Sequence, residues 1–270
     1  MDDLARFNRE RWNGLAAAGV MYSRPWLDLD EAASRQQVDP FGFLGDVRGK
    51  RVLCLAGGGG QQSAAFGLLG ADVTVFDLSD EMLARDRAAA SHYGHKVRTI
   101  QGDARDLSPL AGECFDAVWQ PHSLSFIPEL NLLFDGVVRV LRPGGVYHVA
   151  GWNPLAYGAE ERWTGKGYLL REGYTEGAEA LCGDGYWDIT GEDGQAKRVP
   201  GPREFRHTLT AIMNGLLGRG FILLDVHEEP HGRPDAEPGS WDHFCSVAPP
   251  WLVIWSLLRP DLLNSVARSQ

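Results

Sequence analysis

The sequence predicts an α/β fold, a doubly wound parallel sheet with helices on both faces. Three observations carry the prediction. An apolar run at 52–55 passes through Ala56 into four successive glycines, Gly57 to Gly60, and a helix-like stretch follows at 61–69. A strand, tight turn and helix in that order form the ligand-gripping corner of an open α/β sheet. Glycine suits it because the backbone turns sharply and a ligand approaches with no Cβ in the way. A second apolar run, 73–76, ends in Asp77, where an acid would meet a ribose diol. Short apolar runs then keep alternating with helical stretches, which implies parallel strands joined by right-handed crossovers.

Taken in order, residues 1–45 stand outside the alternation: 4–18 read as a helix, broken by Tyr22-Ser23-Arg24-Pro25-Trp26. Strands are expected at 51–56, 72–77, 97–101, 115–120 and 145–151, with helices at 61–69, 80–92 and 129–141. Ser79 supplies an N-cap for the second of these helices, and Met82 and Leu83 its apolar face. Leu141-Arg142-Pro143-Gly144-Gly145 ends the third helix and launches the fifth strand. From 152 to 202 the pattern dissolves into a stretch rich in Gly, Trp, Tyr and acids, and so long an irregular segment inside a compact domain is usually functional or mobile. Regularity returns with a helix at 203–218, a strand at 221–227, a Pro/Gly loop at 230–239 and a last strand at 251–258. The expected organisation is an N-terminal helical or lid segment (1–45) and one domain (46–270) carrying a cap-like insertion at 152–202.

Composition narrows the function classes. Hydrophobic residues make up 44 % of the 270 and charged residues 23 %, as in a soluble globular protein. The net charge of −10 and the scattered Lys and Arg argue against a nucleic-acid surface. The strongest apolar stretch, 251–258, is far short of the roughly 20 residues a membrane span needs. The acidic start, Met1-Asp2-Asp3, does not read as a signal peptide. Cys54, Cys114, Cys182 and Cys245 form no CxxC pair, so reduced thiols in a cytoplasmic protein are expected and no metal site.

The order of these signals resembles the class I S-adenosylmethionine-dependent methyltransferases of small-molecule type. The likeness rests on the segments 52–60, 73–77, Gly102-Asp103-Ala104, Phe115-Asp116-Ala117-Val118 and 141–145, with the lead-in Asn8-Arg9-Glu10-Arg11-Trp12-Asn13. It covers about 45–152 well and the C-terminal part more loosely. It implies a Rossmann-like sheet of seven strands in the order 3-2-1-4-5-7-6 with the seventh antiparallel. It also implies S-adenosyl-L-methionine as cofactor, S-adenosyl-L-homocysteine as product, and residue roles. Ala56, Gly57 and Gly58 would line the methionine part. Asp77 would hold the ribose hydroxyls, with Leu78 and Met82 beside the adenine. Asp103 would accept from the adenine amino group and the Ala104 amide would donate to a ring nitrogen. Gln120 would border the methionine moiety. The chain departs from the pattern at Cys54, where the family carries an acid that orders the loop, and at Ala56, where it carries glycine. Another acceptor, such as a backbone carbonyl, must then order the loop. Asp116 begins a strand at the far end and is read as structural.

Methyl transfer needs nucleophile, carbon and sulfur nearly in line, and in some acceptors removal of a proton, which histidine suits. His122 has the best address, following the fourth strand at its C-terminal end. It is the candidate catalytic residue, with cofactor or substrate contact and a purely structural role as alternatives. His207, read as starting the helix after the insertion, is a candidate substrate contact. His148 is read as buried and hydrogen-bonded. Tyr22, Trp26, Trp152 and Asn153 are further substrate-binding candidates. Trp163, Tyr168, Tyr174, Tyr186 and Trp187 either join them or build a cap core, and such aromatic walls suit a flat or apolar molecule or a cationic amine. Glu160, Glu161, Glu172, Glu176 and Glu179 read as a solvated face. The expected reaction is direct displacement of methyl onto O, N or C of a small molecule. A dinucleotide-dependent oxidoreductase is the competing reading, although its GxGxxG fingerprint fails at Ser63 and Gln62. A non-enzymatic nucleoside sensor on the same fold is another.

Overall fold

Strands β1 (Arg51–Leu55), β2 (Asp72–Asp77), β3 (Val97–Gln101), β4 (Phe115–His122) and β5 (Leu141–Trp152) pair in parallel in the order β3-β2-β1-β4-β5. The inner strands β1 and β2 are buried along almost their whole length, because helices cover both faces of a parallel sheet. The period of two splits each strand between two cores. Leu53, Leu55, Val118, Tyr147 and Val149 face one core, and Val52, Cys54, Trp119, Val146 and Ala150 the other. The computed structural model describes residues 1–170, 172–180, 185–229 and 232–267, so Cys182 lies outside the described residues.

Ahead of the sheet come α1 (Asp3–Ala18), a short 3-10 turn at Met21–Ser23, and α2 (Glu31–Val38). Crossover helices α3 (Gln62–Leu68), α4 (Asp80–Tyr93) and α5 (Leu130–Val140) follow in turn. The Ser79 hydroxyl caps α4 by accepting from the Met82 amide at 3.1 Å. At the sheet's far end Asp116 accepts the Arg51 amide at 2.7 Å and pairs with Arg142, a structural role.

The insertion is not patternless. It carries an antiparallel ribbon, β6 (Tyr186–Thr190) and β7 (Ala196–Pro200), turned through Asp193-Gly194 with Gly194 at φ 75°. The expected helix at 203–218 begins six residues late, as α6 (Leu209–Leu217). Residues before it are extended: Phe205 bridges Glu179, and the Thr208 hydroxyl is the true N-cap. Then β8 (Phe221–Glu228), α7 (Trp241–Val247), β9 (Trp251–Leu258) and α8 (Pro260–Ala267) complete the chain; α2, α7 and α8 had no counterpart in the sequence reading. β9 runs antiparallel between β5 and β8, giving the sheet order β3-β2-β1-β4-β5-β9-β8 that the family resemblance implies. No helix among the described residues is long and apolar enough to cross a membrane.

Candidate active site

The C-terminal ends of β1, β2 and β4 open on one rim of the sheet, and the glycine loop is built there. Ala56 closes β1 at φ 46°, left-handed backbone that costs a non-glycine residue about 1–2 kcal/mol. Its amide is held by the Phe76 carbonyl at 2.7 Å. Gly58 donates to Asp77 Oδ2 at 2.9 Å, and a Cβ there would stand 2.7 Å from Met82 Cβ. Only glycine lets the loop, Asp77 and α4 approach so closely.

The acid absent at position 54 is supplied from another element. Asp86, fully buried on α4, accepts the Gly59 amide at 3.1 Å, the Gly60 amide at 3.0 Å and the Ser63 hydroxyl at 2.5 Å. Burial lifts its carboxyl to about 7, against the pull of these donors. A side-chain carboxyl, rather than the backbone carbonyl expected, therefore orders the loop. One signal could have found it: Asp86 falls in phase with Met82, Leu83, Ala89 and Ala90 on the buried stripe of α4. The amides of Gly58, Gly59 and Gly60 are all taken by carboxylates. A pyrophosphate seated on this loop would meet two acids instead of free N–H groups.

Asp77 also accepts the Ser79 amide at 2.8 Å, and burial raises its carboxyl while these amides lower it. Asp103 is clamped by Arg105, which reaches its Oδ2 at 2.6 Å, Asp2 at 2.9 Å and Glu129 at 3.1 Å. Ala56, Gly58, Asp77, Leu78, Met82, Asp103, Ala104, His122, Tyr22 and Trp152 share the wall of one cavity of about 1730 Å³.

The other sequence-derived candidates are not on that wall. Gly57 packs against the Pro121 ring. Gln120 is fully buried, accepting the Tyr147 hydroxyl at 2.6 Å and donating to Ser123 at 3.0 Å. The Trp26 amide donates to the Gly60 carbonyl at 3.1 Å, and its ring joins the core. Asn153 donates to the Pro249 carbonyl at 3.0 Å. His207 precedes α6 rather than starting it, with ring nitrogens 2.7 Å from Glu176 and 2.9 Å from the Ile127 carbonyl. His148 is buried as expected, but it stacks on Trp119 at 4.0 Å and its Nδ1 has no hydrogen-bond partner. Burial holds its pKa down at about 3.

A register shift after Gln120 re-aims the end of β4 and brings His122 to the cavity. Its ring lies 4.8 Å from Trp251, and Nε2 is 3.7 Å from Glu229. The aromatic wall continues from Trp251 to Trp152 (4.6 Å) and to Tyr157, stacked on Trp152 at 5.0 Å. Trp187 and Tyr186 reach the wall, whereas Trp163 and Tyr168 cluster with His243 and Tyr174 binds the Leu209 amide. Glu160, Glu161 and Glu172 line the cavity rather than a solvated face, while Glu176 and Glu179 hold His207 and Arg203. Glu204, Arg206, Trp251 and Glu229 are wall residues the sequence reading missed.

α1 closes this cavity from above. Asn8 exchanges two hydrogen bonds with the Arg203 backbone, at 2.8 and 3.2 Å, and Asn13 binds Ser79 at 2.6 Å and Asp80 at 3.0 Å. Trp12 sits edge-on to Phe126 at 5.1 Å and to Trp187 at 5.8 Å. Among the described residues no cluster of His, Cys, Asp and Glu has the makings of a metal site.

Known proteins resemble this chain in domain and in fold. Residues 53–149 match the methyltransferase domain family. An uncharacterised methyltransferase of Bacillus subtilis is 29% identical over 199 residues, 72% of this chain and 74% of its own length. An uncharacterised protein of Mycobacterium tuberculosis is 37% identical over 147 residues, so the chain spans only about half (53%) of that relative's length. The crystal structure of an S-adenosylmethionine-dependent methyltransferase from Mesorhizobium loti superposes with a TM-score of 0.60 at 23% identity, over 86% of this chain and 100% of that one, a likeness of fold.

Proposed function

We propose that this chain, a class I S-adenosylmethionine-dependent methyltransferase by its methyltransferase domain and its fold, methylates a small molecule held between His122 and the aromatic wall of the insertion. The observation that carries the acceptor reading is the size and lining of the cavity. At about 1730 Å³ it exceeds the roughly 300–1,000 Å³ that one drug-sized ligand occupies, so donor and acceptor fit side by side.

The residues present suit the donor. The acids under the glycine loop already occupy the Gly58, Gly59 and Gly60 amides that a dinucleotide's phosphates would need. When bound, S-adenosylmethionine supplies an activated methyl carbon for direct displacement, leaving S-adenosylhomocysteine. Asp77 has acceptor capacity left for ribose hydroxyls beside the two amides it already binds. The Asp103 carboxylate would serve the adenine amino group while Arg105 fixes its orientation. His122 takes the proton from an O–H or N–H acceptor, and Glu229 stabilises the resulting imidazolium.

The test is twofold. Calorimetry should show binding of S-adenosylmethionine and S-adenosylhomocysteine but not of NADH; tighter binding of NADH would defeat the cofactor assignment. Radiolabelled methyl donor, offered with a library of amines, phenols and carboxylic acids, should label a small-molecule fraction. Label found only in added protein or nucleic acid would defeat the acceptor assignment.

A further inference from the structure

Glu204 lies in the extended segment ahead of α6 and is 6% exposed, on the cavity wall. Its carboxylate accepts the Tyr157 hydroxyl, a neutral donor, at 2.6 Å. No cation among the described residues lies within ion-pairing distance of it. Arg206, two residues on, pairs with Glu172 and lies over the Tyr157 ring, 5.8 Å from its centroid, rather than against the Glu204 carboxylate. A buried carboxylate without a counter-charge is costly, and burial pushes the Glu204 carboxyl up. Tyr157 joins this acid to the stacked run of Trp152 and Trp251 that ends at His122.

From this juxtaposition we propose that the methyl acceptor is an organic cation: Glu204 meets a protonated nitrogen, and the rings of Trp152 and Trp251 seat the apolar body attached to it. Aromatic faces and a desolvated carboxylate are the pair of features that recognise a hydrophobic ammonium ion. The charged nitrogen is a recognition handle. The inference rests on the methyltransferase reading and narrows its substrate class.

Three probes with one body and different charge test it: phenethylamine, 2-phenylethanol and phenylacetate, titrated into protein saturated with S-adenosylhomocysteine. The amine is expected to bind at least tenfold more tightly than the alcohol, and the carboxylate most weakly. In Glu204→Gln the amine-to-alcohol ratio should fall to within twofold of unity, with S-adenosylhomocysteine affinity within twofold of wild type. A wild-type ratio below tenfold overturns the proposal, and so does a ratio that survives in Glu204→Gln. Should Glu204→Gln not fold, the wild-type ratio still decides. Trp152→Leu then serves as the second variant, and must weaken the amine at least fivefold and more than the alcohol. Failure of S-adenosylhomocysteine to bind at all would instead defeat the underlying enzyme reading, and the first titration shows it.

Discussion

Asp86 shows how one buried side chain can replace a motif residue. The family places an acid at the end of the first strand, and this chain has Cys54, fully buried and free. The loop still needs its amides satisfied, since an unpaired buried N–H costs about 1–3 kcal/mol. Asp86 satisfies two amides and a hydroxyl at once. In Asp86→Asn one oxygen is replaced by an NH₂ that opposes a loop amide, so donor with donor must separate. We expect S-adenosylmethionine affinity to fall by about 1–3 kcal/mol, with turnover at saturation little changed; an unaltered dissociation constant would show that the loop is ordered without Asp86. Asp77→Ala should lose about 1.5–3 kcal/mol of cofactor binding, and calorimetry giving no loss would remove it from the ribose. His122→Ala should cut kcat by about 10²–10⁴-fold with cofactor affinity intact, and an unchanged pH–rate profile would reject a proton-transfer role. At this scale the sequence was legible wherever chemistry follows chain order: the glycines, Asp77, Asp103 and His122 stand at strand ends. Asp86 and Glu204 were not, because each meets its partners only after the chain folds back, 26 residues later for Gly60 and 47 for Tyr157.

Elements decide what closes the site. Two kinds of contact hold α1 down. Asp2 reaches Arg105, but its side chain is 56% exposed, and such a pair contributes about 0–1 kcal/mol. Asn8 is 3% exposed and satisfies both the amide and the carbonyl of Arg203, so its loss removes two hydrogen bonds of about 0.5–1.5 kcal/mol each. Asn8→Ala should therefore speed hydrogen exchange of amides in α1 and in the β6–β7 ribbon far more than Asp2→Asn, which removes the charge but can still cap α1 at the Ala5 amide. The reverse ranking would mean that charge rather than buried hydrogen bonding keeps the lid shut. Short apolar runs between helical stretches made β1 to β5 readable, and Ser79 made α4 readable. The ribbon escaped because its alternation, exposed and half-buried in turn, is only five residues long on each side; its Asp193-Gly194 turn was the available clue. The start of α6 was misplaced because Thr208, inside the expected helix, is the residue that caps it.

For the whole molecule, two buried titratable groups pull stability in opposite directions over one pH range. Asp86 keeps its proton up to about 7 in the fold, whereas a free carboxyl releases it near 3.9. Between those values the native state holds the extra proton, so this group's contribution to stability falls as pH rises. His148 takes a proton only near 3 in the fold, whereas a free imidazole takes one near 6.5. Between those values the unfolded chain holds the extra proton, so this contribution rises with pH. From about pH 4 to 6.5 the two oppose each other, each with a limiting slope of about 1.4 kcal/mol per pH unit. Removing one should expose the other. Relative to wild type, Asp86→Asn should gain stability as pH rises from 4.5 to 6.5, and His148→Phe should lose it, as read by urea denaturation at each pH. The aromatic replacement keeps a ring against Trp119 and Trp255, so the slope rather than the absolute stability is diagnostic. Curves for both variants parallel to wild type would mean that neither group changes protonation on unfolding in this range, and the carboxylate form of Asp86 would then order the glycine loop at every working pH.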